Sequence, residues 1–123
     1  MLALKVNAVN EKNGVTVWVS VTNQSEEVAE LLFKTSQRIS IAVFDEEQKR
    51  VYRSESEWMY LQVVEHVMLQ PNDEVVFQEM MPSTYFEEGH TYKGTVRLAV
   101  SEINNEQALQ QSQTFTFTRQ EHS

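Results

Sequence analysis

Residues 2–22 read Leu2-Ala3-Leu4-Lys5-Val6-Asn7-Ala8-Val9-Asn10-Glu11-Lys12-Asn13-Gly14-Val15-Thr16-Val17-Trp18-Val19-Ser20-Val21-Thr22, and their period decides the fold. Leu2, Leu4, Val6 and Ala8 alternate with Ala3, Lys5 and Asn7. Beyond Asn13-Gly14, Val15, Val17, Val19 and Val21 alternate with Thr16, Trp18, Ser20 and Thr22. A strand sends successive side chains to opposite faces, whereas a helix repeats every ~3.6 residues, so both runs are half-buried strands. Asn-Gly between them predicts a hairpin with a type I′ turn, because both residues tolerate positive φ.

The same pattern continues outward. Val28 to Lys34 and Arg38 to Phe44 read as strands, the second with Ile39, Ile41 and Val43 on one face. Polar Asp45-Glu46-Glu47-Gln48 then predicts a hairpin into Lys49 to Arg53. Glu26 to Leu32 has good helix propensity, but it is short and flanked by strands, so pairing is expected to override it. Trp58 to Leu69 is apolar on both faces and predicts a buried strand. Gln70-Pro71-Asn72-Asp73 has turn chemistry, with Asn suited to a left-handed conformation. Val75 to Met81 and Tyr92 to Ser101 follow as strands, then a polar connection over 103–111 and a last strand, Thr114 to Thr118. About eight strands joined by short turns imply two packed antiparallel sheets. Tyr92, three residues after Gly89, stands either where immunoglobulin-like sandwiches place a corner tyrosine or as an ordinary strand residue. The reading is all-β, an immunoglobulin-like antiparallel β-sandwich of about eight strands, spanning 1–119 as one domain with 120–123 as a short frayed tail.

Composition narrows the function. The chain has 123 residues, 18 acidic against 10 basic, a formal charge of -8 and no cysteine. Phosphate binding needs clustered Lys and Arg, so nucleic acid is excluded, and anionic membrane is disfavoured for the same reason. No run approaches the roughly 20 apolar residues of a membrane span. Residues 1–7 lack the basic and apolar regions of a signal peptide. With the missing cysteines, this predicts a cytoplasmic protein.

Catalytic chemistry finds little support. His66 and Glu65 are neighbours on a strand and should point to opposite faces. His90 lies in a turn and His122 in the tail, with no zinc-ligand spacing among them. Nucleophile elbows and phosphate-cradling loops are missing. The carboxylate groups at 26–30, 45–47, 55–57 and 87–88 read as solvated turns. No enzyme activity, no cofactor and no metal are expected. Lys34, Arg38, Lys49, Arg50 and Arg53 form either a positive patch or, the favoured reading, cross-strand pairs with Glu46, Glu47 and neighbouring acids.

The ordered set Val21-Thr22-Asn23-Gln24-Ser25, Phe33-Lys34-Thr35-Ser36-Gln37-Arg38, Val43-Phe44-Asp45, Val51-Tyr52-Arg53-Ser54, Met59 with Gln62, Leu69-Gln70-Pro71-Asn72-Asp73, Phe77, Gly89 with Tyr92, and Phe115 with Phe117 resembles the intracellular proteinase inhibitor (BsuPI) family. Relative to that pattern, Ser36 replaces Gly, Asn72 replaces Gly in a Pro-Gly-Glu turn, Ser54 replaces an aromatic and Met81 a Trp. The resemblance implies a cytoplasmic immunoglobulin-like sandwich that binds an intracellular subtilisin-type serine protease stoichiometrically, as a monomer or weak dimer. The alternative is a scaffold or interaction module that kept the fold and lost inhibition.

The resemblance marks no reactive residue, but the implied partner favours an apolar residue before the scissile bond and another three residues earlier. In Met81-Pro82-Ser83-Thr84-Tyr85-Phe86, Tyr85 is the candidate for the main pocket and Pro82 for the distal one. The competing role for Tyr85 and Phe86 is a plug closing one end of the sandwich. Leu109 in the 103–111 loop is the other candidate. Edge pairing through residues 2–9 is a third route, unless Lys5 is there to blunt that edge.

Overall fold

The computed structural model describes residues 1–120. Strands β1 (Leu2–Glu11) and β2 (Gly14–Asn23) pair antiparallel from Leu2 opposite Asn23 to Glu11 opposite Gly14. The turn therefore lies at Lys12-Asn13, one residue earlier than expected, and none of Lys12, Asn13 and Gly14 has positive φ. Gly14 is a strand residue opposite Pro82, where a Cβ would lie 2.1 Å from the Met81 carbonyl oxygen. Close approach of a neighbouring backbone, rather than turn geometry, is what requires glycine there.

The chain continues through β3 (Ala29–Phe33), β4 (Ile39–Phe44), β5 (Arg50–Arg53), one helical turn α1 (Ser54–Glu57), β6 (Glu65–Leu69) and β7 (Glu74–Pro82). After a single 3-10 turn at Ser83–Tyr85 come β8 (Thr91–Leu98), β9 (Glu102–Ile103), β10 (Glu106–Gln107) and β11 (Ser112–Thr118). One sheet runs β1-β2-β7, the second β11-β8-β4-β5, and a third, β10-β9-β3-β6, extends one end. The first two are the layers of an immunoglobulin-like sandwich. Val15, Val17, Val19 and Val21 of the first layer join Ile41, Val43, Val96 and Leu98 of the second in one buried cluster. Pairing does override helix propensity at 29–33, where Ala29 to Phe33 lie opposite Leu69 to Glu65.

Two corners are held by polar side chains. Asn23 is fully buried: its Nδ2 donates to the carbonyls of Leu69 (2.9 Å) and Glu27 (2.8 Å), and its backbone pairs with Asp73 and Asn72. It thus ties the β2-to-β3 crossing to the β6-to-β7 turn, in which Asn72 adopts φ 69° as its residue type allows. The Tyr92 hydroxyl accepts the Glu87 N–H at 2.8 Å, just before Gly89 at φ 83°, so Tyr92 is a corner tyrosine.

Three expectations need correction. The stretch Trp58 to Leu69 is not one buried strand: only 65–69 pair, and Met59, Leu61 and Val64 are exposed. The 103–111 connection contains the β9–β10 hairpin, with Asn104 and Asn105 at φ 52° and 67°, the signs a type I′ turn needs. Of the five bases, Arg38 and Arg53 do pair with neighbouring acids, Glu65 (3.0 Å) and Glu55 (3.4 Å), but none pairs with Glu46 or Glu47, and Lys34, Lys49 and Arg50 make no ion pair among the described residues.

At the far end, Gln120 donates its N–H to Asn10 Oδ1, while the rest of the expected frayed tail, from 121 onward, lies outside the described residues. No described helix is long and apolar enough to cross a membrane.

Candidate functional site

The residues expected at a protease contact separate into two places. Pro82 ends β7, and the Tyr85 ring packs edge-on against Tyr52 at 5.0 Å while its hydroxyl donates to Glu57 Oε1 at 2.6 Å. Phe86 is only 7% exposed, set among Tyr92 and Phe117 with centroids at 5.0 and 5.2 Å, and is a core residue. These three cluster at the end of the sandwich where β8 begins. Leu109, 83% exposed, stands by Leu98 where β8 ends. Strand β1 is a sheet edge, but its far end is tied to β11, since Asn10 Nδ2 donates to the Thr118 carbonyl at 2.8 Å.

The two described histidines are exposed and paired. His66 Nδ1 lies 2.9 Å from Glu30 Oε1, and His90 lies within 3.2 Å of both Glu46 and Glu87.

A different element has the features of a presented site. The chain leaves β5 through α1 and then runs over 58–64 without helix or strand. Its mount is a polar cluster inside the sandwich. Buried Tyr52 donates its hydroxyl to Glu79 Oε2 and accepts Trp58 Nε1–H at 3.2 Å. Buried Ser54 donates Oγ–H to the Glu79 carboxylate at 2.8 Å and accepts the Ile41 N–H at 2.8 Å. Burial raises the Glu79 carboxyl above its ordinary range against the opposing bonds from Tyr52 and Ser54, with Glu55 and Glu57 adding to the rise. Burial, then the Glu79 bond and charge, pushes the Tyr52 hydroxyl up, and the Tyr60 hydroxyl rises to about 12 through burial and the charges of Glu79 and Glu55.

Thr35-Ser36-Gln37 forms the second half of the mount. Ser36 takes both backbone groups of Leu61: its Oγ accepts the Leu61 N–H at 2.8 Å and its own N–H donates to the Leu61 carbonyl at 2.9 Å. Gln37 Nε2 and Ser40 Oγ both donate to Glu55 Oε2 at 2.5 Å. Burial would raise the Glu55 carboxyl, but these bonds outweigh it and hold it below the usual carboxylate range. Between the segment and the β7 edge lies a shallow groove of about 390 Å³, lined by Ser36, Trp58, Met59, Tyr60, Gln78 and Met80 among others.

The Glu79 shift has a signed consequence. Its folded pKa exceeds its unfolded one, so its contribution to stability is fully present below the unfolded pKa and is lost as pH rises through the folded pKa. Urea unfolding of wild type and Glu79→Gln across pH 4.5 to 7.5, an experimental range of about three units, is expected to show wild type gaining on the variant as pH falls. A constant difference would mean that Glu79 titrates normally.

Sequence reasoning missed this site because it takes an apolar stretch for a buried one. The available signal was an uncharged run, Trp58 to Val64, bracketed by Glu55, Glu57 and Glu65. No curated protein matches the chain. Residues 2–103 match the family described as BsuPI, intracellular proteinase inhibitor. The matched span takes in the 54–64 segment and both halves of its mount, and it ends before Leu109. The chain belongs to the BsuPI family of intracellular proteinase inhibitors.

Proposed function

We propose that the protein inhibits an intracellular serine protease of the subtilisin type by forming a stoichiometric complex in the cytoplasm, one protein monomer to one protease. The observation that carries this reading is the family match over 2–103. The frame supports it. A β-sandwich holding an exposed segment by side-chain hydrogen bonds supplies, without disulfides, the preorganisation that tight inhibitors need. Among the residues expected at the contact, Tyr85 bonds to Glu57 in α1 and Phe86 is buried in the core, which supports a bracing role for these two.

The alternative of a non-inhibitory scaffold draws on the departures from the family pattern. Two of these positions carry structural bonds. Ser36 holds Leu61 through a hydroxyl that Gly would lack, and Ser54 ties Glu79 to β4. Residues that maintain the presented segment favour retained inhibition.

Titration of a purified cytosolic subtilisin-type protease with the protein, read on a chromogenic peptide, tests the proposal. Activity is expected to fall linearly and reach its floor near one equivalent. Unchanged activity at micromolar protein, or rapid cleavage of the protein, would overturn it.

A further inference from the structure

Met59 is 99% exposed, Leu61 72% and Val64 62%, within a seven-residue run that carries no charge. Single exposed apolar residues are ordinary, but Met59 and Leu61 follow a pattern. Trp58, 39% exposed, is anchored through its indole on the Tyr52 hydroxyl and the Tyr60 ring is part-buried, while Met59 and Leu61 stand bare. Over 58–61 that is the alternation of an extended strand, with anchored residues on one side and bare ones on the other. Trp58 itself is extended, at φ -114° and ψ 146°.

Backbone availability distinguishes the two outward residues. Both groups of Leu61 are taken by Ser36, whereas the N–H and C=O of Met59 make no hydrogen bond among the described residues. An endoprotease binds its substrate extended, pairing main-chain groups along the cleft while alternate side chains fill pockets. Met59 offers both requirements: free main-chain groups and a flexible, unbranched apolar side chain able to fit a pocket of varied shape.

Resting on the inhibitor reading above, we infer that Met59 enters the primary apolar pocket of the inhibited protease, with residues 58–61 along the substrate cleft and Leu61 as a second apolar contact. The flanks hold the segment in place. Trp58 is tied through its N–H to the Ser54 carbonyl at 3.0 Å and through its indole to Tyr52, and Leu61 is tied to Ser36, so neither side swings free. Little chain entropy remains to be lost on docking. Glu65 and Glu55 beside the uncharged run are paired with Arg38 and Arg53, which leaves a flank of little net charge and fits a cleft that is apolar at its centre.

The test titrates wild type, Met59→Asp, Met59→Leu and Leu109→Asp against a subtilisin-type endoprotease with an apolar chromogenic peptide as reporter. Both positions are exposed, so all three variants are expected to unfold thermally as wild type does. A carboxylate forced into an apolar pocket is expected to weaken inhibition by Met59→Asp roughly 100-fold or more, with Met59→Leu within about threefold of wild type and Leu109→Asp unchanged. Inhibition by wild type and Met59→Asp alike, or its loss in Leu109→Asp instead, would overturn this inference and leave the inhibitor reading standing. Absence of inhibition by wild type would overturn both.

Discussion

Tyr52→Ala is expected to lower the free energy of unfolding by about 4 kcal/mol, the range for truncating a fully packed aromatic. Tyr52 is 2% exposed and packs on Tyr85 and Phe86, with centroids at 5.0 and 6.2 Å, so the cavity would open where the aromatic cluster meets the core. The hydroxyl adds to this. Without it Glu79 loses one of its two donors and the Trp58 indole loses its acceptor. Tyr52→Phe isolates that contribution, expected at about 2 kcal/mol because the deserted acceptor is a carboxylate in a part-buried site. Urea denaturation of the three proteins at pH 7 separates packing from hydrogen bonding. If Tyr52→Phe were as stable as wild type, Glu79 would not depend on the tyrosine.

The second large effect is expected at Arg119, where Arg119→Met should cost about 3 kcal/mol. Arg119 is 4% exposed, and its guanidinium makes no ion pair among the described residues; carbonyls solvate it instead. It donates to the carbonyls of Glu11 (2.8 Å), Gly14 (2.9 Å) and Lys12 (3.3 Å) and to Asn10 Oδ1 (3.2 Å). The end of β11 thereby caps the β1–β2 turn, the place where Gly14 lets β7 approach. Methionine keeps much of the volume and removes every donor, so the loss reports the deserted acceptors. Equal urea midpoints for Arg119→Met and wild type would show that water satisfies those carbonyls without the arginine.

What could be read from the residues follows the range over which each feature is determined. The strands of β1 and β2 were legible because alternation is local, whereas Gly89 three residues before Tyr92 left the corner as one of two readings, which the bond to the Glu87 N–H decides. Asn72 was legible since its left-handed turn lies within four residues. Gly14 was misread because its reason, the carbonyl of Met81, arrives from a strand more than sixty positions later. The Glu79 cluster was invisible for the same reason: Tyr52, Ser54 and Glu79 meet only once β5, α1 and β7 are placed. Trp58 to Val64 failed in another way. Hydrophobicity predicts burial because burial is the commonest use of such residues, and Met59, Leu61 and Val64 depart from it by standing exposed.

Shielding of Met59 in the complex measures the central claim most directly. Mild peroxide oxidises exposed methionine to the sulfoxide, and peptide mass spectrometry reads each site, with Met1, 84% exposed, as the internal reference beside Met59 at 99%. At one equivalent of protease, oxidation of Met59 is expected to fall at least about tenfold while Met1 keeps its free rate. Oxidation of Met59 at its free rate in the saturated complex would contradict the account.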